Sequence, residues 1–323
     1  MDLRNLILSD TDYDKEMREI VVPFTKNIES DGYFKSFDDS SIYYRFYKVA
    51  NASKNIIIVH GFSENSEKYR ELIYYFLKNG FNVFIMDLRG HGYSERIVDN
   101  PVLVDVEDFD YYVKDLDLFV ETIVINECDN LPICLYAHSM GGAVALLYLE
   151  KYKHRISKAV LSTPMVVQRT YIPGFILCLY LNICTSLNKE KSVLPFLKSE
   201  FPNRERFDLV SNGSKIKYSY YYKIISKDTH YQNFSGTVRW MNQCMKASKE
   251  ILKEDNKKNL NIPFLVFTVK KDVRVRTNET KRFFRGVNDS KVVNVEGHIR
   301  HEIYNTEEII LTDYIEKVLE FYN

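Results

Sequence analysis

Ser139 carries the strongest chemical signal in this chain. It lies in the stretch Leu135-Tyr136-Ala137-His138-Ser139-Met140-Gly141-Gly142. An apolar strand pattern ends at Ala137, and helical spacing begins just after the serine. Strand, sharp turn and helix form the setting of a nucleophile elbow, which exposes the hydroxyl beside the positive end of a helix. The turn is tight, so the residues two before and two after must be small. Gly141 meets that need, and Ala137 stands where glycine is more usual. The plain alternative is a serine in an ordinary strand-to-helix turn, and the full context favours the nucleophile.

A serine of this kind attacks an ester carbonyl, and the oxyanion that forms needs donors already aimed at it. One is the N–H after the nucleophile, here Met140. The other comes from the loop after an earlier strand. His60-Gly61-Phe62 follows such a strand, which makes Phe62 the candidate. Gly61 lets the backbone come close to a substrate. His60, at the strand end, reads as a residue that fixes its loop.

In this topology the acid follows a later strand and the histidine comes last. Asp272 stands just past the apolar run 264–269, at the carboxyl end, where sites form in open sheets. Asp289 precedes the next strand and falls at the opposite edge. Asp115 lies inside a helix and reads as a structural partner. For the base there are two histidines in one loop, His298 and His301. Only one can serve, and His301 is preferred. Asp87-Leu88-Arg89-Gly90-His91-Gly92-Tyr93-Ser94 is glycine-punctuated but lacks either phosphate-loop spacing, so it reads as a tight loop fixed by Asp87 and Arg89.

These residues need a scaffold that brings strand ends together. Residues 33–37 and 42–49 flank a polar turn and predict a hairpin. The runs 56–59, 81–86, 133–137, 158–162, 264–269 and 291–295 read as strands. Between them, 66–78, 106–124 and 140–152 have helical spacing, and a last helix covers 306–321. Apolar strands alternating with amphipathic helices predict a parallel sheet covered on both faces. The interval 166–240 breaks the alternation and reads as short helices and loops inserted between core strands. The expected division is a core of residues 1–165 and 241–323 with a helical cap at 166–240.

The cap differs in charge. It holds 11 Lys/Arg against five Asp/Glu, an excess of six positive charges in a chain of zero net charge. It also holds the apolar segment 172–187. One reading is a solvated subdomain with uneven charge. The other is a cover that leans on anionic headgroups through Lys215, Lys217, Lys223 and Lys227.

With 44 basic and 44 acidic residues among 323, the chain lacks the basic excess of a nucleic-acid binder. Its 24 Tyr and 20 Phe exclude a disordered chain. Five cysteines with no C-x-x-C pair argue against a disulfide framework or a zinc site. The start is broken by charges and does not read as a signal peptide. A cytoplasmic protein follows, with peripheral membrane contact through the cap and no obligate protein partner.

The chain resembles the α/β-hydrolase superfamily, and within it the bacterial lysophospholipase and monoacylglycerol lipase family. The resemblance runs from about residue 30 to the end. It rests on His60-Gly61-Phe62, on 87–94, on Ala137-His138-Ser139-Met140-Gly141-Gly142 and on Leu161-Ser162-Thr163-Pro164-Met165. Glu205-Arg206-Phe207, Asp272 and His301-Glu302 complete it. It implies an α/β-hydrolase fold with a lid over an acyl tunnel, no cofactor, no metal, and release of a fatty acid from single-chain glycerol lipids. A lysophospholipase is the first expectation, and a monoacylglycerol lipase or general carboxylesterase the second. A non-catalytic lipid-binding protein is the rival from another class. Two departures stand out: Lys271 precedes the acid where Gly or Ala is common, and the histidine loop is one residue longer than usual.

Overall fold

The computed structural model describes residues 6–170, 172–194, 197, 199–205, 207 and 213–323. Arg206 of the cap motif and of the charge count, and Lys198 and Asp208 of the charge count, lie outside them.

Eight strands form the main sheet: β1 (Glu29–Lys35), β2 (Ser41–Tyr47), β3 (Lys54–Val59), β4 (Phe81–Met86), then β6 (Ile133–His138), β7 (Ile156–Ser162), β9 (Phe264–Val269) and β10 (Ser290–Val295). Two further strands, β5 (Leu103–Val104) and β8 (Ser235–Gly236), pair only with each other. The main order is β1-β2-β4-β3-β6-β7-β9-β10. Only the pairings that involve β2 are antiparallel.

The central strands lack alternation because both faces are covered. On one face Ile57, Leu135 and Leu161 meet Leu116, Phe119, Leu146 and Trp240. On the other, Ile58, Tyr136 and Phe267 meet Ile73, Phe76, Tyr314 and Ile315. The helix Met140–Lys151 is buried over all but its last residue, which explains why its apolar positions show no single face.

The expected elements appear with three shifts. β1 begins at Glu29 rather than residue 33, because an edge strand needs only backbone pairing, and polar Glu29, Ser30 and Asp31 pair with Tyr47, Phe46 and Arg45. The helix expected at 106–124 starts at Asp110, where the Asp108 carboxylate accepts from the Asp110 N–H at 2.9 Å. It then runs through a π turn, Val120–Val124, to Glu127. The helix Val238–Ile251 spans the expected cap limit at residue 240 and packs Trp240, Cys244 and Ala247 into the core.

Within the expected cap, the described residues form two longer helices ahead of that one, Gly174–Ser186 and Lys215–Ile225. The second corrects the charge reading. Lys217 faces inward, with its Nζ 2.7 Å from Glu71 and over the Tyr13 ring. Lys223 pairs with Asp14 at 3.3 Å. Part of the positive excess is therefore spent on the body of the protein. The N-terminal segment joins this contact: Tyr13 donates to Glu71 and meets Tyr220 edge to face. Among the described residues, no helix is long and apolar enough to cross a membrane.

Candidate active site

Ser139 sits between β6 and the helix Met140–Lys151 with φ +53 and ψ −117. A non-glycine residue rarely holds that conformation, and such strain persists only where the surroundings impose it. Here the Ser139 N–H donates to Ser162 O, and its own carbonyl accepts from Gly142 and Met165. Gly141 is required for more than the turn. A Cβ there would stand 2.2 Å from Val59 O, so the helix closes on the end of β3 only with glycine.

The three residues expected to form a relay meet in one line. His301 Nε2 lies 2.7 Å from Ser139 Oγ, and His301 Nδ1 lies 2.8 Å from Asp272 Oδ2. The other Asp272 oxygen accepts the N–H groups of Arg274 and Val275 at 2.7 and 2.9 Å. All three are buried, with Ser139 the most accessible at 9%. His298 is exposed, and Asp289 sits where β9 begins, its carbonyl bonded to Phe264 N–H. Asp115 holds Arg89 inside the core, as its helical position implied. His60 fixes its loop: Nδ1 donates to Gly61 O, and Nε2 accepts from the Leu88 N–H.

Burial pulls the His301 imidazole below its ordinary 6.5, and Asp272 opposes the shift. A base must be neutral, so the competent fraction rises with pH through that lowered value. The acid limb of kcat/KM is expected to have its midpoint below 6.5. A pH–rate profile checks this, and a midpoint above 6.5 would contradict it.

The loop 60–62 runs against Ser139: a Cβ at Gly61 would stand 3.2 Å from Ser139 Cβ. Met140 opens its helix, where the first N–H groups have no intrahelical acceptor. The Phe62 ring stacks on Trp240 at 4.0 Å between centroids.

Sequence reasoning missed the group that ties these loops together. Glu64, 2% exposed, accepts from the Gly61 N–H at 2.6 Å, Tyr69 OH at 2.6 Å and His138 Nδ1 at 3.1 Å. Its other oxygen accepts from Lys68 Nζ at 3.0 Å and Tyr304 OH at 2.7 Å. Lys68 continues to Glu302 at 2.9 Å. Burial would raise the Glu64 carboxyl, but Lys68, His138 and the hydroxyl donors outweigh it and hold it well below the carboxylate range. One carboxylate thus links the Phe62 loop, the serine turn and the histidine loop. The Glu64–Lys68 spacing of four residues was the available signal, but it looks the same as a surface pair. Glu64→Gln is expected to lower kcat about 100-fold, the scale of losing one oxyanion donor. KM should change little. Steady-state kinetics checks it, and an unchanged kcat would reduce the web to packing.

A serine on a strained turn after a central strand, in line with a histidine and an acid from two later strand ends, is the arrangement of the α/β-hydrolase class. Within that class the chain belongs to the serine aminopeptidase S33 family, whose pattern residues 50–308 match. A Haemophilus influenzae protein named probable lysophospholipase L2 is 28% identical over 276 residues, 84% of each chain. Monoglyceride lipase of Saccharomyces cerevisiae is 25% identical over 69% of this chain and 68% of its own. The solved structure of a soluble variant of the Saccharomyces cerevisiae monoglyceride lipase, bound to a substrate analog, superposes with TM-score 0.73 at 20% identity. It covers 91% of this chain and 94% of that one, a likeness of fold.

Proposed function

We propose that this chain hydrolyses carboxylic esters of single-chain glycerol lipids, as a lysophospholipase, by two-step acyl transfer. The unbroken line from Ser139 Oγ through His301 to Asp272 Oδ2 carries this reading. His301 takes the serine proton as Oγ attacks the carbonyl, and Asp272 holds the tautomer and stabilises the imidazolium. The N–H groups of Phe62 and Met140 take the oxyanion. His301 then returns its proton to the leaving alcohol, and water repeats the sequence to free the fatty acid. The Haemophilus influenzae relative favours the lysophospholipid, and the yeast relative favours monoacylglycerol as the second substrate.

Residues 166–240 act as a cap over this site, in a cytoplasmic protein that visits the membrane surface. The helix Gly174–Ser186 supports this. It buries Leu177, Leu181 and Cys184 and exposes Phe175, Leu179 and Ile183, with Leu187 just beyond, one every fourth residue. A helix apolar on both faces suits a lipid surface on the outer one. This moves the expected contact from the lysines, of which Lys217 is buried, to an apolar stripe.

Long-chain lysophospholipid and monoacylglycerol, presented with vesicles, and a soluble short-chain ester form the deciding panel. Turnover should be fastest on lysophospholipid, and Leu179→Ser should lower turnover at vesicles more than on the soluble ester. Labelling of Ser139 by a fluorophosphonate separates an enzyme from a lipid carrier. No labelling and no turnover on any ester would overturn the reading.

A further inference from the structure

A cleft of about 530 Å³ opens beside the acid loop. Arg169 and Thr170, from the segment after β7, form one wall. Lys270, Arg276 and the start of the helix Thr277–Phe284, after β9, form the other. Three cations therefore line one space. Two acids share it, Asp272 and Glu279. Asp272 is already taken by His301 and by the two N–H groups of its own loop. Among the described residues, none of the three cations has a carboxylate at ion-pair distance.

A second observation is independent of charge. Thr170 belongs to the same wall, and its hydroxyl oxygen, closed off from solvent, has no hydrogen-bond partner. An orphaned buried hydroxyl is unfavourable, and a turn of the Thr170 side chain toward the cleft would let an anion oxygen accept its proton. The positive end of the helix Thr277–Phe284 acts in the same direction.

We propose that this cleft binds a phosphate group. Two guanidinium forks and an ammonium suit its oxygens, and the volume leaves room for an organic substituent. The site bears on the chemistry through Arg169, whose Nη1 donates to the main-chain oxygen of Asp272 at 2.8 Å. An anion that draws on Arg169 competes for a group that steadies the acid loop. The proposal stands apart from the hydrolase reading, since it needs no turnover.

Binding is measured by calorimetry on the Ser139→Ala protein, with inorganic phosphate titrated at constant ionic strength. Saturable one-site binding is expected. The double variant Lys270→Gln/Arg276→Gln should weaken it about tenfold or more. Both side chains are exposed, and a thermal melt of the double variant confirms folding. Lys258→Gln, at an exposed site paired with Asp255, serves as the control and should bind as the parent does. Glycerophosphocholine binding more tightly than inorganic phosphate marks a lipid headgroup as the source, and the reverse marks free phosphate. Binding that does not saturate, or that the double variant retains, overturns the proposal.

Discussion

Hydrolysis by the Ser139→Ala protein is expected to fall by about 10⁴-fold or more in kcat, with folding intact. The change removes one hydroxyl from a side chain that is already buried but for 9% of its surface. Alanine keeps the Cβ, so the tight turn and its hydrogen bonds to Ser162, Gly142 and Met165 remain. What disappears is the atom 2.7 Å from His301 Nε2. The oxyanion donors still bind the ester, which leaves a small residual rate. Ester turnover and a thermal melt of the same preparation check both halves. A variant that keeps most of its activity would mean that another nucleophile does the work.

The second large effect separates two histidines three residues apart. His301→Ala should reduce kcat about as much as Ser139→Ala, since a relay of this kind works as a unit. His301 is buried and bonded at both ring nitrogens, while His298 is exposed. His298→Ala should leave the rate close to that of the parent protein. Parallel kinetics of the two variants decides it, and the reverse ranking would reassign the base.

The sequence made these residues visible because each stands at the end of an apolar run. Burial on both faces leaves a strand like Phe264–Val269 with no polar residue but Thr268, so the first acid past its end is conspicuous. Order along the chain then separates Asp272 from Asp289. Glu64 had no such marker. Its five donors come from residues 61, 68, 69, 138 and 304, and no local pattern announces a partner 240 residues away. Lys217 misled for the same reason. A lysine just ahead of the tyrosine-rich turns 218–222 looks solvated until Glu71 and Tyr13 close over it. The N-terminal residues 13–27 matched no motif because their role is packing, and packing partners are not written in spacing.

β10 has a consequence for how this protein fails on heating. It is the outermost parallel strand, it pairs only with β9, and none of its six residues is fully buried. Ser139 rides on β6 in the middle of the sheet, whereas His301 hangs from this rim. Its loop is tethered back by Thr163 Oγ1 to His301 O at 3.1 Å and by Val273 N–H to Arg300 O at 3.1 Å. Strands with few buried neighbours open at free energies below that of global unfolding. Fraying of the rim would withdraw His301, the proposed base, while Ser139 stays in place. Activity is then expected to fall below the temperature of the melt, with the upper working temperature set at the margin of the sheet rather than in its core; ester turnover and a melt followed over the same temperatures check this, and loss of activity only with the melt would contradict it.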